Sequence, residues 1–212
     1  MPQPVVRYQD QNKVDIIGSK ISIWHCAETA QQIRNLAFTQ EPVEKIVSRA
    51  THTKHSICIS NVHTVVTGFW DAQYATITHN ATIAAADGVP LIWASKLLSW
   101  VSAEPAIHGR AAGPDILIKL LSESYELKSS NDQVEASQPK RLRHFFYGST
   151  PDVLKRLETV ICLNYPHAIW AGSYSPPFRA VKKLHEPLDD EELAELKLID
   201  QAHPHIVWIG LG

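Results

Sequence analysis

Cysteine is scarce in this chain: three occur in 212 residues. Cys26, Cys58 and Cys162 are odd in number, far apart and set among apolar neighbours (WHCA, SICIS, VICL). That pattern argues against a disulfide framework and against a zinc site, and predicts inert, buried, reduced thiols. Eleven histidines include no HExxH pair, so no metal site is expected. GxGxxG, GxxxxGK[ST] and GxSxG are absent as well, which removes the dinucleotide fingerprint, the P-loop and the hydrolase nucleophile elbow. No apolar run reaches the roughly 18 to 20 residues that span a bilayer, so an integral membrane protein is excluded. The opening MPQPVVRYQDQNKVDIIG has no basic region followed by an apolar stretch and a cleavage site, and a cytoplasmic location is expected. A net charge of −2 and a pI near 6.6 argue against a surface that attracts nucleic acid.

What is present is the make-up of a globular protein long enough to bury one core, and a single domain over residues 1–212 is expected. Short apolar runs at Ser56–Ser60, His144–Tyr147, Ala168–Ala171 and His205–Ile209 predict buried strands. Between them Pro42–Arg49, Pro90–Val101, Pro114–Tyr125, Pro151–Leu163 and Asp189–Ala202 have helical spacing. The alternation predicts an α/β fold, Rossmann-like, with a mostly parallel sheet flanked by helices. The clearest helix starts at Pro151, with Ser149 or Thr150 as its cap and Val153, Leu154, Leu157, Val160 and Ile161 as one apolar stripe. Asp189-Asp190 predicts a cap and first turn, where acids favour the helix dipole. The first 13 or so residues and Lys128–Lys140 are expected to be flexible. The basic cluster Lys140–His144 is expected to be a solvated approach to a strand.

Asp87 is the only acid between Ile77 and Lys96. A carboxylate in so apolar a stretch needs a partner or a task in proton transfer; alternatively, Asp87-Gly88 turns the chain before Val89-Pro90. The turn Gly148-Ser149-Thr150-Pro151, after a strand and before a helix, suits a diphosphate held by backbone N–H groups. Arg110 lies in a Gly-punctuated loop, HGRAAGPD. Its planar fork suits a phosphate, the alternative being a pair with a surface acid such as Glu104. Asn61 and His63 follow a strand end, where α/β proteins bind ligands; a helix-capping Asn and a surface His explain them equally. The last run, IVWIGLG, predicts a strand ending in a glycine turn at Gly210.

Five blocks occur in order: ISNVHTVV at Ile59–Val66, ADGVPLIWASKLL at Ala86–Leu98, GRAAGPDIL at Gly109–Leu117, FFYGSTPDVLKRL at Phe145–Leu157, and GSYSPPF at Gly172–Phe178 with IVWIGLG after it. Together they resemble the WecG/TagA/CpsF glycosyltransferases, over roughly Val14 to Gly212. The resemblance implies inverting, metal-independent transfer of a sugar, commonly of N-acetylmannosamine type, from a UDP-sugar to a polyprenyl-diphosphate-linked sugar. No cofactor is implied. The setting implied is the inner face of the cytoplasmic membrane, with peripheral attachment. Asp87 matches the Asp proposed as the family's catalytic base, and Arg110 matches the family's Arg in the block before its GxDL-like segment. Asn61 matches the strand-end Asn, and His63, Gly88, Gly148, Ser149, Thr150, Pro151 and Gly210 fall in the donor-binding blocks. Two departures stand out: Ile59 replaces a frequent Thr, and the sequence ends before a Pro-Lys-Gln-Glu-like block and the appendage that aids membrane contact. The alternatives are a silent UDP-binding homologue and a nucleotide-sugar hydrolase. The sugar, the polymer and any homo-oligomer stay open.

Overall fold

An Ile-Gly pair makes the first turn. In the computed structural model β1 (Lys13–Ile16) and β2 (Ser19–Ser22) form an antiparallel hairpin. Its two loop residues, Ile17 and Gly18, take φ of 45° and 84°, as a two-residue hairpin turn requires. The structure describes residues 12–39, 54–125, 140–179 and 186–211. The expected helix at Pro42–Arg49, most of the expected loop at Lys128–Lys140 and the first eleven residues lie outside these. By backbone contacts the chain divides into two compact units, residues 1–33 with 52–119 and residues 34–51 with 120–212.

The first unit contains the hairpin, the start of α1 (Cys26–Thr39), β3 (Ile57–Ser60), α2 (Val62–Trp70), α3 (Ala72–Asn80), β4 (Ile83–Ala86) and α4 (Val89–Ser102). Helix α5 (Gly113–Ser122) begins in it. β3 and β4 pair in parallel, Ser60 opposite Ala86. The sequence Ile-Ala-Ala-Ala has no intrinsic strand preference; burial decides its form, since all four residues are inaccessible. Small side chains let the hairpin come close, and the Ala84 N–H donates to Ser22 Oγ at 3.1 Å. Val14, Ile16, Ile21 and Ile23 from the hairpin then pack with Val65, Leu91 and Ile107 around the alanines.

The second unit is a three-stranded parallel sheet in the order β6 (Ile169–Tyr174), β5 (Arg143–Tyr147), β7 (Ile206–Ile209). α6 (Pro151–Asn164) and α7 (Asp190–Gln201) are the crossovers. The α/β class with parallel sheets is therefore as expected. Asp189 caps α7 through a capping box with Glu192, again as expected.

Three expectations need correction. The stripe on α6 is narrower than predicted: Leu154 and Ile161 are buried, while Val153 and Val160 are exposed, because one sheet covers only part of a helix. The thiols are not all buried, since Cys162 is exposed and Cys26 and Cys58 are partly so. The basic cluster is not simply solvated. Arg141 donates to the carbonyls of His167 and Pro166, and Arg143 to those of His203 and Ala202. Leu142, between the two arginines, and His144, after them, are fully buried.

His144 sits in an ordered chain of hydrogen bonds. Trp208 Nε1 donates to its Nδ1 at 3.0 Å. Its Nε2 lies 2.8 Å from Ser124 Oγ, which donates to the Leu120 carbonyl at 2.6 Å. The proton therefore sits on Nε2, and the ring is neutral. Burial, with a smaller contribution from His205, pulls its pKa from 6.5 to about 4. Between those values the unfolded chain binds a proton that the folded ring refuses, so stability falls as the pH drops from 6.5 toward 4, by up to about 1.4 kcal/mol per pH unit. The urea midpoint should decline across this window. His144→Leu should flatten that decline and cost about 2 kcal/mol at neutral pH, by stranding the Trp208 donor and leaving the Ser124 oxygen without the Nε2–H it accepts.

Candidate active site

In the first unit the C-terminal edge of the parallel pair gathers the polar candidates. The Asp87 N–H donates to the Ser60 carbonyl at 2.7 Å, extending the ladder one residue past the strands. Gly88 follows with φ 132° as the N-cap of α4, and Pro90 stands in the first turn. Asp87-Gly88 thus does turn the chain, and the turn presents the carboxylate at the sheet edge. Asp87 is half-buried, and its carboxylate takes no hydrogen bond or ion pair among the described residues.

The Arg110 loop is fastened at two points. The His108 N–H donates to the Ile23 carbonyl and the Ala111 N–H to the Ala86 carbonyl, both at 2.7 Å. Arg110 and Asp87 therefore flank the same backbone hydrogen bond, so the fold brings together two candidates that are 23 positions apart in the chain. The guanidinium pairs with Asp115, not Glu104, at 3.0 Å, and both side chains are about half exposed. An exposed pair of this kind is worth about 0–1 kcal/mol, so Asp115 holds the guanidinium only weakly. His108 Nδ1 lies 2.9 Å from Glu28 Oε2, which ties the loop to the start of α1.

Asn61 is the N-cap of α2. Its Oδ1 accepts the Thr64 N–H at 3.0 Å, and Thr64 Oγ1 accepts the Asn61 N–H at 2.8 Å. The side-chain carbonyl is committed to the cap, and the amide Nδ2 makes no hydrogen bond among the described residues. His63 is exposed on the first turn of α2. Ile59 faces outward, while Ser60 is buried, so the serine hydroxyl does not stand in for the threonine that Ile59 replaces.

In the second unit Gly148 and Gly210 meet. The Gly148 N–H donates to the Tyr174 carbonyl and the Gly210 N–H to the Tyr147 carbonyl. The approach is so close that a Cβ on Gly148 would lie 2.3 Å from the Gly210 carbonyl oxygen. Gly148 and Ser149 take φ of 114° and 67°, and Ser175 Oγ donates to the Ser149 carbonyl at 2.6 Å. Thr150 caps α6 by accepting the Val153 N–H, and Pro151 occupies the first turn. Pro151 has no N–H, so the N–H groups of Ser149, Thr150 and Asp152 remain without a partner among the described residues. Such N–H groups at a helix N-terminus favour an anion, whereas the Asp152 carboxylate in the first turn opposes one.

Sequence reasoning missed the charged cluster at the same sheet edge. Tyr147 OH donates to Glu195 Oε2 at 2.6 Å. Arg179 grips both oxygens of Glu195, at 2.6 and 3.1 Å. The Tyr147 and Tyr174 rings stack with centroids 6.0 Å apart. Arg179 holds the buried Glu195 carboxyl below its ordinary pKa, and burial together with Glu195 pushes the Tyr147 phenol up to about 12. In the sequence Glu195 is one acid among many in DDEELAEL, with no signal to set it apart; Tyr147 and Tyr174, closing two strands, were the available clue.

Parallel strands that end in glycine turns, with helices as their crossovers, define an α/β protein. The chain belongs to the WecG/TagA/CpsF glycosyltransferase family, whose model matches residues 29–212. The family acts in cell-surface polysaccharide synthesis, between a nucleotide-sugar donor and a lipid-linked acceptor. A search of curated proteins finds no match. No described helix is long and apolar enough to cross a membrane.

Proposed function

We propose that this chain is an inverting, metal-independent glycosyltransferase. It moves a sugar, of N-acetylmannosamine type or another hexose, from a UDP-sugar to a polyprenyl-diphosphate-linked sugar at the inner face of the cytoplasmic membrane. The observation that carries this reading is the Asp87 carboxylate, half-buried at a strand end, unpartnered among the described residues and next to the Arg110 loop. Inversion asks for one base: Asp87 takes the proton of the acceptor hydroxyl as that oxygen bonds the anomeric carbon, and the C–O bond to UDP breaks on the opposite face with its electron pair leaving on the diphosphate. Arg110 is assigned to that developing charge. The Gly148–Pro151 turn, with Gly210 against it, is assigned to binding diphosphate. Asn61 Nδ2, His63 and the Gly88 turn are assigned to the donor. The protein is taken to act as one domain over residues 1–212.

The test is UDP release from a panel of UDP-sugars, with and without a lipid-diphosphate N-acetylglucosamine acceptor and in the presence of chelator. Release that needs the acceptor and ignores the chelator is the expected result, and the productive donor names the sugar. Release that is indifferent to acceptor would make the protein a hydrolase. UDP binding without release from any donor would make it a silent homologue.

A further inference from the structure

Helix α4 starts at the Asp87-Gly88 turn and runs about 21 Å at 1.5 Å per residue. Leu91 and Ser95 form its buried side, and Ile92, Ala94 and Leu98 pack against the core. The opposite side carries Val89, Trp93, Leu97 and Trp100, at spacings of four, four and three. Trp93 is 67% exposed and Trp100 is 87% exposed. A tryptophan left that open costs hydration free energy that a soluble surface normally avoids, and a stripe of such residues marks a contact site.

The charge on this face identifies the contact. No Asp or Glu occurs in VPLIWASKLLSWVS. Its one charged residue, Lys96, is exposed, lies on the same face between the two tryptophans, and has no acidic partner among the described residues. A second copy of this net-acidic chain would leave that cation matched only by chance, whereas tryptophans with a snorkelling lysine suit the apolar–polar boundary of an anionic bilayer. Helix α2, which starts at the end of the neighbouring parallel strand, repeats the pattern with Val62, Val66, Phe69 and Trp70 exposed and no charged residue.

We propose that the exposed face of α4 is a surface that docks onto membranes containing anionic phospholipid and so brings the sheet edge carrying Asp87 to a lipid-linked acceptor. The part concerning the acceptor rests on the function proposed above. The docking itself does not.

The full chain, its Trp93→Ser/Trp100→Ser variant and Lys96→Gln would be sedimented with vesicles of phosphatidylcholine, with and without phosphatidylglycerol. Transfer to a short-chain, water-soluble acceptor would be assayed in parallel, and thermal transitions compared. Expected are binding by the parent chain, a loss of about tenfold or more in the double variant at unchanged thermal transition, and a drop of about fivefold in Lys96→Gln on anionic vesicles only. Activity on the soluble acceptor should be equal in all three. No binding by the parent chain would overturn the proposal, as would equal binding by the double variant. A dimer that the same substitutions split, without vesicle binding, would also overturn it and assign the face to self-association. Tryptophan-dependent vesicle binding with no transfer to any acceptor would uphold the surface and sink the glycosyltransferase mechanism, so the two readings fail separately.

Discussion

Asp87→Asn is expected to bind UDP as tightly as the parent chain and to lose sugar transfer by about a hundredfold or more. The substitution keeps size and shape, and the backbone N–H of residue 87 still reaches the Ser60 carbonyl. It also breaks no side-chain bond, since the carboxylate makes none among the described residues. Stability should therefore change little. What disappears is a group able to hold the proton of the acceptor hydroxyl while the new bond forms. Steady-state transfer and calorimetric UDP binding, measured on the same preparation, separate the two effects. A kcat near that of the parent chain would remove Asp87 from the chemistry, and UDP binding lost in proportion would make it a donor ligand instead.

The second large effect is on stability. Gly148→Ala places a methyl group 2.3 Å from the Gly210 carbonyl oxygen, a backbone atom, so that one of the two strand ends must shift. It also holds an L-residue at φ 114°. Backbone strain of about 1–3 kcal/mol adds to the steric displacement, and a total loss of about 3–5 kcal/mol is expected, within the range that diagnostic single substitutions reach. In a chain of this length that corresponds to a fall of roughly 10 °C in Tm. Gly210→Ala, whose Cβ would meet nothing within 4 Å, is the matched control and should be close to neutral. If both variants melt alike, the close approach of the two strand ends is not what holds this turn.

Legibility followed the physics of each element. β5, β6, β7, α4, α6 and α7 were readable because an apolar run or a 3.6-residue period is a property of the segment itself, and Pro151 and Asp189 marked their helix starts. β4 was not, because Ile-Ala-Ala-Ala is neutral toward strand and becomes one only through burial beneath the hairpin. The hairpin was hidden too, since Ile-Gly is not among the strong two-residue turn pairs. α2 and α3 follow so closely on β3 that their short apolar patterns blur into the strand signal.

The same division runs through the candidate site. Residue type and order alone singled out Asp87, Arg110, Asn61 and the glycine turns, because a lone acid in an apolar stretch, an arginine among glycines and a strand-end glycine carry their chemistry with them. Only the tertiary structure decided that the Arg110 loop is hydrogen-bonded to the Asp87 edge, through Ala111 and Ala86, and that Arg110 pairs with Asp115. It alone showed that the Asn61 carbonyl is spent on a cap, and that Gly148 is a glycine because Gly210 lies against it. Glu195 shows the reason most plainly. Its place in an acidic helix is written in the chain, but its burial beneath Arg179 and Tyr147 depends on groups 16 and 48 residues away, and such distances close only when the sheet forms.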